Sequence, residues 1–168
     1  MEARSSYLLW TALRWAAAAL QQAERVRASF EQYQASVHSR MGAGVVRLTP
    51  EMERPKAIFW ADVHFLMIAV NHLRKVLGDL GGDAPRIDRA LEAKAVELRH
   101  LLEHWWKAEQ GEGAWKGYRE KHGEYAEPTD VQFEPGDVRI GADPLSIVAL
   151  AADVRRVELE LTEMEART

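Results

Sequence analysis

The chain has 168 residues, of which 47% are hydrophobic and none is cysteine, and its formal net charge is −4. This length and apolar content suffice for a buried core and predict one domain over residues 1–168. The absence of cysteine excludes disulfides, thiolate zinc sites and cysteine nucleophiles, and the acidic balance argues against a broad nucleic-acid-binding surface. No apolar run reaches the length of a membrane span, so we expect a cytoplasmic protein without a membrane partner.

Apolar residues recur at steps of three and four positions in four segments, which is typical of amphipathic helices. The predicted helices cover residues 5–41, 56–80, 85–109 and 143–166. Asp83 is the predicted cap of the third helix, and Asp143 with Pro144 fits the cap and first position of the last helix. The pattern predicts an all-α fold, an antiparallel four-helix bundle.

Residues 110–142 lose the helical period and gather glycine and proline, which predicts a long loop between the third and last helices. Within this excursion, apolar residues flank the turn sequence of residues 134–137. They are Val131, Phe133, Val138 and Ile140. This arrangement predicts a small β-hairpin.

The end of the predicted third helix concentrates the side chains best suited to acid-base and phosphate chemistry, in the sequence Arg99-His100-Leu101-Leu102-Glu103-His104. At about 100° per residue, Arg99 lies about 100° to one side of the core stripe and His104 about 120° to the other. The outward face between them carries His100, Glu103 and Lys107.

The same outward face also carries apolar side chains, which a purely solvated face does not require. They are Ala93, Val96 and, at its edge, Trp106. A second copy of the chain packing there would bring two sets of motif residues together. The sequence therefore predicts a homodimer through the face of the third helix.

The motif and the helix order resemble the HEPN superfamily (higher eukaryotes and prokaryotes nucleotide-binding), helical bundles that commonly dimerise. Many members carry Arg and His separated by four to six residues, often with Asn, Asp or His directly after the Arg, and Arg99, His100 and His104 match this pattern. The resemblance implies a composite site of two protomers that cleaves RNA without a metal or other cofactor. It also implies RNA as the ligand and an antitoxin or other regulatory protein as a partner.

Each motif residue has a chemical role in such a reaction. His104 exchanges protons near neutral pH, and the guanidinium of Arg99 stabilises charge on the phosphate in the transition state. His100 orients the phosphate or supports His104, and Glu103 is a candidate for fixing the imidazole tautomer. We therefore expect Arg99, His100 and His104 to be catalytic and Glu103 to be supporting.

Three alternatives remain open from the sequence. His100, Glu103 and His104 form the H-x-x-E-H pattern of inverted zinc peptidases, although those enzymes are large mixed α/β proteins. His100 and His104 with His64 or His72 of the second helix would resemble the DinB-like metal-binding bundles. A non-catalytic helical protein that mediates assembly through its third helix is the remaining alternative.

Polar residues outside the motif complete the set of candidates. Asp62 lies on the apolar stripe of the second helix, so we expect it to be buried with an arginine partner and to support the site structurally rather than catalytically. Aromatic and basic groups interleave in and near the long loop, a pattern that suits single-stranded RNA. These RNA-contact candidates are Lys107, Trp115, Lys116, Tyr118, Arg119 and Lys121.

Overall fold

The computed structural model describes residues 2–41, 50–103, 114–123, 131–134 and 137–167. These residues form five α-helices and three short β-strands. In chain order the elements are α1 (Glu2–Met41), α2 (Pro50–Leu80), α3 (Arg89–Glu103), α4 (Ala114–His122), β1 (Val131–Glu134), β2 (Asp137–Ile140), β3 (Leu145–Ser146) and α5 (Ile147–Glu165). The fold is mostly helical, as the hydrophobic periodicity predicts. Within the described ranges, no helix is long and apolar enough to cross a membrane.

The two longest helices, α1 and α2, pack side by side and hold a large part of the core. From Leu9 to Phe30, α1 buries a residue at nearly every third or fourth position, and four of these residues are alanines, which allow a close approach of α2. The facing stripe of α2 has larger side chains, namely Phe59, Val63, Leu66, Val70, Leu73 and Leu77. On the flanks of this pair, α5 packs on α1 and α3 packs on α2.

The second helix begins at Pro50, six residues before the predicted start at residue 56. Proline suits the first helical position because the N–H it lacks would have no partner there. The prediction placed the start after Pro55 because an interior proline usually ends or kinks a helix. Pro55 lies early in α2 and is tolerated there, so the helix continues through it.

The third helix begins at Arg89, four residues after its predicted start, and its cap is Asp88. The carboxylate oxygen Oδ1 of Asp88 accepts from the backbone N–H groups of Ala90 and Leu91 at 2.9 and 3.1 Å. The prediction that Asp83 is the cap is therefore wrong. Residues 84–88 adopt no helical structure and instead bury Ile87 against the core.

The predicted β-hairpin is confirmed, with Val131 opposite Ile140 and Phe133 opposite Val138 in an antiparallel pair. A third strand, β3, extends the sheet because Leu145 pairs with Ile140. The sequence analysis does not predict β3, which has only two residues. The strand order is β1-β2-β3, and the sheet contacts the helices through β2 and β3.

The last helix begins after β3, and the prediction that Asp143 and Pro144 start it is wrong. Because Ser146 belongs to the sheet, the helix starts one residue later, with the hydroxyl of Ser146 accepting from the N–H of Ala149 at 2.9 Å. Oδ1 of Asp137 on β2 accepts from the N–H of Val148 at 3.1 Å. Two side chains of the sheet therefore satisfy backbone donors in the first turn of α5.

A short helix, α4, occupies part of the segment that the sequence predicts to be a loop. Its Tyr118 is buried, and the phenolic oxygen accepts from the backbone N–H of Ala142 at 2.7 Å. The adjacent Gly141 has a φ of 92°, and a Cβ there would lie 3.1 Å from the same oxygen. This glycine therefore allows the turn after β2 to close on α4.

Candidate functional site

The arginine of the motif is held by the glutamate one helical turn later. Nη2 of Arg99 donates to both oxygens of Glu103, at 2.6 and 2.8 Å, and the two side chains are 29% and 31% exposed. Glu103 is therefore engaged with the guanidinium, whereas the sequence suggested that it fixes an imidazole tautomer. His104 and Lys107 lie outside the described residues.

This ion pair lies on the side of α3 that meets α2. Oε1 of Glu92 is 3.7 Å from Nη1 of Arg74 on α2. Arg99 and Glu103 follow Glu92 by seven and eleven residues, which places each of them within about 20° of Glu92 around α3. Glu103 thus lies beside α2 rather than on the fully outward face predicted for it, whereas His100 is exposed.

A second group of polar side chains joins α3 to α4. Oε1 of Glu97 accepts from Nζ of Lys121 at 2.9 Å and lies 3.6 Å from Nε2 of His122. The His122 side chain is 11% exposed, and the ring of Tyr118 packs on it with a centroid distance of 4.5 Å. The hydrogen bond that Lys121 donates to Glu97 raises the pKa of the Lys121 ammonium.

A hydrogen-bonded ion pair joins the turn before α5 to α3. Nζ of Lys94 donates to Oδ1 of Asp143 at 2.7 Å, and this hydrogen bond lowers the pKa of the Asp143 carboxyl. The nearby charges of His122 and Lys121 lower it further. Glu97 and Lys94 are three residues apart on α3, so one face of that helix anchors both α4 and the turn.

The RNA-contact candidates that the structure describes lie on α4. Tyr118 is buried, Arg119 is half-buried, and Lys121 is paired with Glu97. Lys116 is exposed, with Nζ 3.9 Å from Oε1 of Glu120. The side chains of Lys116 and Lys121 are 70% and 60% exposed, so the RNA contact stays a prediction. For Trp115, the structure describes the backbone only.

Lys94, Glu97 and His122 are not singled out by the sequence analysis. In the sequence each belongs to an ordinary charged segment, and the proximity of Glu97 and His122 depends on α4. Glycines on both sides of α4 and at Gly117 make this segment resemble a loop in the sequence. The useful signal is the four-residue spacing of Tyr118 and His122, which places both rings on one face once a helix is assumed.

The predicted burial of Asp62 beside an arginine is confirmed, since this carboxylate is 3% exposed and contacts Arg25. Its Oδ1 accepts from Nε2 of Gln22 at 2.9 Å and lies 2.9 Å from Nη2 of Arg25. Both partners belong to α1, so Asp62 joins α1 to α2. The contacts of this carboxylate therefore explain its burial, and they link it to α1 rather than to the motif arginine.

The side chain of His72 lies toward α1 and not toward His100, the histidine of α3 whose position the structure describes. The ring of His72 stacks on Trp15 of α1, with a centroid distance of 4.4 Å and an interplanar angle of 12°. Helix α3 packs on α2 through the side that carries Arg74. Among the residues with described positions, no three His, Asp or Glu side chains are grouped so that they could hold a metal ion.

Comparisons of the chain with protein-family models, with curated proteins and with solved structures found no match. A functional interpretation therefore depends on the motif residues and on the positions of the described side chains.

Proposed function

We propose that this chain is a HEPN-like domain, a four-helix bundle with an added short helix and β-hairpin, that acts on RNA as a cytoplasmic homodimer. The observation that carries the proposal is the position of Arg99 near the end of α3, next to the exposed His100 and five residues before His104 in the sequence. The helix order and the mostly helical fold are compatible with it.

The half-buried ion pair of Arg99 supports a phosphate-binding role. Through Nη2 the guanidinium already binds two carboxylate oxygens, at 2.6 and 2.8 Å, and a phosphate is an anion that can replace this carboxylate. Glu103 keeps the arginine side chain ordered and partly desolvated in the absence of RNA. Binding of a phosphate then requires that the carboxylate move aside or share the guanidinium.

The proposed reaction is attack by the RNA's own 2′-hydroxyl on the adjacent phosphorus. His104 of one protomer removes the hydroxyl proton, and His104 of the other protonates the leaving 5′-oxygen, so that protons and charge balance. Arg99 stabilises the negative charge on the phosphorane, and His100 positions the phosphate. The exposed positions of α3, Ala93 and His100, are the proposed dimer face.

The test is incubation of the purified protein with mixed RNA in EDTA, comparing wild type with Arg99→Ala and His104→Ala. Arg89→Ala is the matched control, because this exposed arginine begins the same helix at its other end. We expect wild type and the control to cleave RNA and both motif variants to lose at least about a hundredfold in rate. RNA left intact by a dimeric wild-type protein would refute the enzymatic proposal.

The second candidate function is non-catalytic assembly, and a specific observation favours it. Ile58 and Phe65 on α2 are 42% and 56% exposed, which is unusual for large apolar side chains. Under this alternative, Phe65→Ser lowers the solution mass measured by sedimentation while RNA remains uncleaved by every variant. An unchanged mass in that variant would exclude a role of Phe65 in self-assembly.

A further inference from the structure

The first third of α1 exposes two large aromatic side chains one helical turn apart. Tyr7 is 62% exposed and Trp10 is 48% exposed. Their ring centroids are 6.2 Å apart and their planes are inclined by 36°, so the rings form a continuous aromatic surface. Residues of this size normally contribute to the core of a small protein, and here they face solvent.

A cation completes this surface. The guanidinium carbon of Arg14 lies 4.6 Å from the centroid of the Trp10 ring, which is the geometry of a cation–π contact. Tyr7, Trp10 and Arg14 follow one another at steps of three and four residues, so they share one face of α1. We name these three residues the α1 aromatic face.

The charge around the α1 aromatic face is positive, in contrast to the net charge of −4 of the whole chain. Residues 3–23 contain no aspartate or glutamate, and their two charged residues are Arg4 and Arg14. Both arginines are exposed, and neither forms an ion pair with any residue whose position the structure describes. Among the described residues, the face therefore combines exposed rings with two arginines that form no ion pair.

We propose that the α1 aromatic face binds single-stranded RNA, with bases stacked on Tyr7 and Trp10 and the phosphate backbone contacted by Arg14 and Arg4. Sequence-independent recognition of single strands combines these two elements, aromatic stacking and cationic contacts to phosphate. This inference rests on the proposed function, since it assigns the RNA of that function a binding surface on a different helix from the motif. The basic and aromatic residues of α4 lie on another helix and are not part of this surface.

The charge of the α1 aromatic face favours RNA over a protein as its ligand. A protein partner would also bury exposed aromatic rings, as the exposed Phe65 of α2 illustrates. That side chain has no arginine over its ring among the described contacts. The α1 aromatic face differs because Arg4 and Arg14 lie on the same stretch of helix and form no ion pair with a described residue, which suits a polyanion with flat apolar bases.

The experiment measures binding of a fluorescein-labelled, unstructured single-stranded RNA of about 12 nucleotides by anisotropy in EDTA. The variants are Trp10→Ala, Trp10→Phe and Arg14→Gln, with Phe65→Ala as the matched control for loss of an exposed aromatic ring. We expect about tenfold weaker binding for Trp10→Ala, partial recovery for Trp10→Phe, and a shallower salt dependence for Arg14→Gln. Circular dichroism verifies that each variant keeps its helices.

Two results overturn this inference. Binding by Trp10→Ala that equals wild type would show that RNA does not use the face. A loss of self-association in Trp10→Ala with unchanged RNA binding would assign the face to a second copy of the chain. This test and the cleavage test can fail independently. RNA binding that needs Trp10 but is followed by no cleavage would refute catalysis by Arg99 and His104. The proposal that the α1 aromatic face binds RNA would still stand.

Discussion

A carboxylate bound to a phosphate-binding arginine competes with phosphate. Glu103 has this position on Arg99, with contacts of 2.6 and 2.8 Å. At the residue scale, the proposed function makes the motif an equilibrium between this internal ion pair and a contact with RNA. Under that proposal, the strength of the internal pair sets how tightly RNA binds.

Glu103→Gln tests this competition, since it removes the negative charge and keeps the side-chain length. We expect RNA affinity, measured by anisotropy in EDTA, to increase roughly two- to fivefold, the range that a partly exposed ion pair provides. The same substitution in an Arg99→Ala background should have no effect. An affinity gain that persists without Arg99 would mean that Glu103 repels RNA directly.

Asp62 gives a stability prediction, because its buried carboxylate accepts from Gln22 and Arg25 across the α1–α2 interface. Asp62→Ala removes the carboxylate that accepts from the half-buried amide of Gln22. We therefore expect the free energy of unfolding to fall by about 1–3 kcal/mol. Urea denaturation measures the change. Glu24→Ala, which removes a 76% exposed acid from the same helix, should change it by less than about 0.5 kcal/mol.

At the scale of elements, the sequence predicts the long helices and the hairpin because their apolar periods are repeated over many residues or paired across a turn. It misplaces helix starts where several capping residues compete. Asp83 and Asp143 have the right residue type, but Asp88 and Ser146 have the backbone N–H groups within reach. That choice depends on where Ile87 and Leu145 are buried, which is a tertiary property.

In the candidate site, too, some features follow from the local sequence and others depend on tertiary packing. The position of Arg99 on a helix and the burial of Asp62 follow from periodicity. Glu103 is the one acid three or four residues from Arg99, so helical spacing predicts their ion pair, which the assignment of Glu103 to an imidazole overlooked. The group of Glu97 and His122 depends on α4, a nine-residue helix whose stability comes from docking rather than from its own propensity.

Ser146→Ala tests the corrected start of α5. The loss of the hydroxyl that accepts from the N–H of Ala149 should lower the free energy of unfolding by about 1 kcal/mol, as capping substitutions usually do. Amide exchange at Ala149 should accelerate in the variant. Asp143→Ala is the comparison, since it removes the partner of Lys94 and should leave exchange at Ala149 unchanged. Faster exchange at Ala149 in Asp143→Ala would instead support Asp143 as the cap of α5, as the sequence predicts.

At the scale of the whole molecule, the contact of Lys94 and Asp143 makes stability depend on pH. The pKa of Asp143 is lowered in the folded protein, so the contact stabilises the fold above the carboxyl's unfolded pKa of about 4. The stabilisation is lost as pH falls through the lower folded pKa. Because Asp143 is 51% exposed, solvent screens the pair and the effect is small.

Lys94→Met tests this dependence through the melting temperature between about pH 2 and pH 7. We expect the variant to melt lower than wild type at neutral pH and to approach it as pH falls below about 4 and through the lowered folded pKa of Asp143. Lys116→Met is the control, because its ammonium is exposed and 3.9 Å from its acid. A constant difference between Lys94→Met and wild type at every pH would contradict the role of Asp143.

The two sheet side chains that satisfy donors of α5, Asp137 and Ser146, have a consequence for the order of folding. The first turn of α5 gains the Asp137 acceptor only when β2 lies beside it, whereas the Ser146 cap is local and the rest of α5 needs only its own backbone and the surface of α1. Docking of β2 and completion of the last helix are thus coupled. We therefore expect the first turn of α5 to be incomplete during synthesis until β2 has docked beside it.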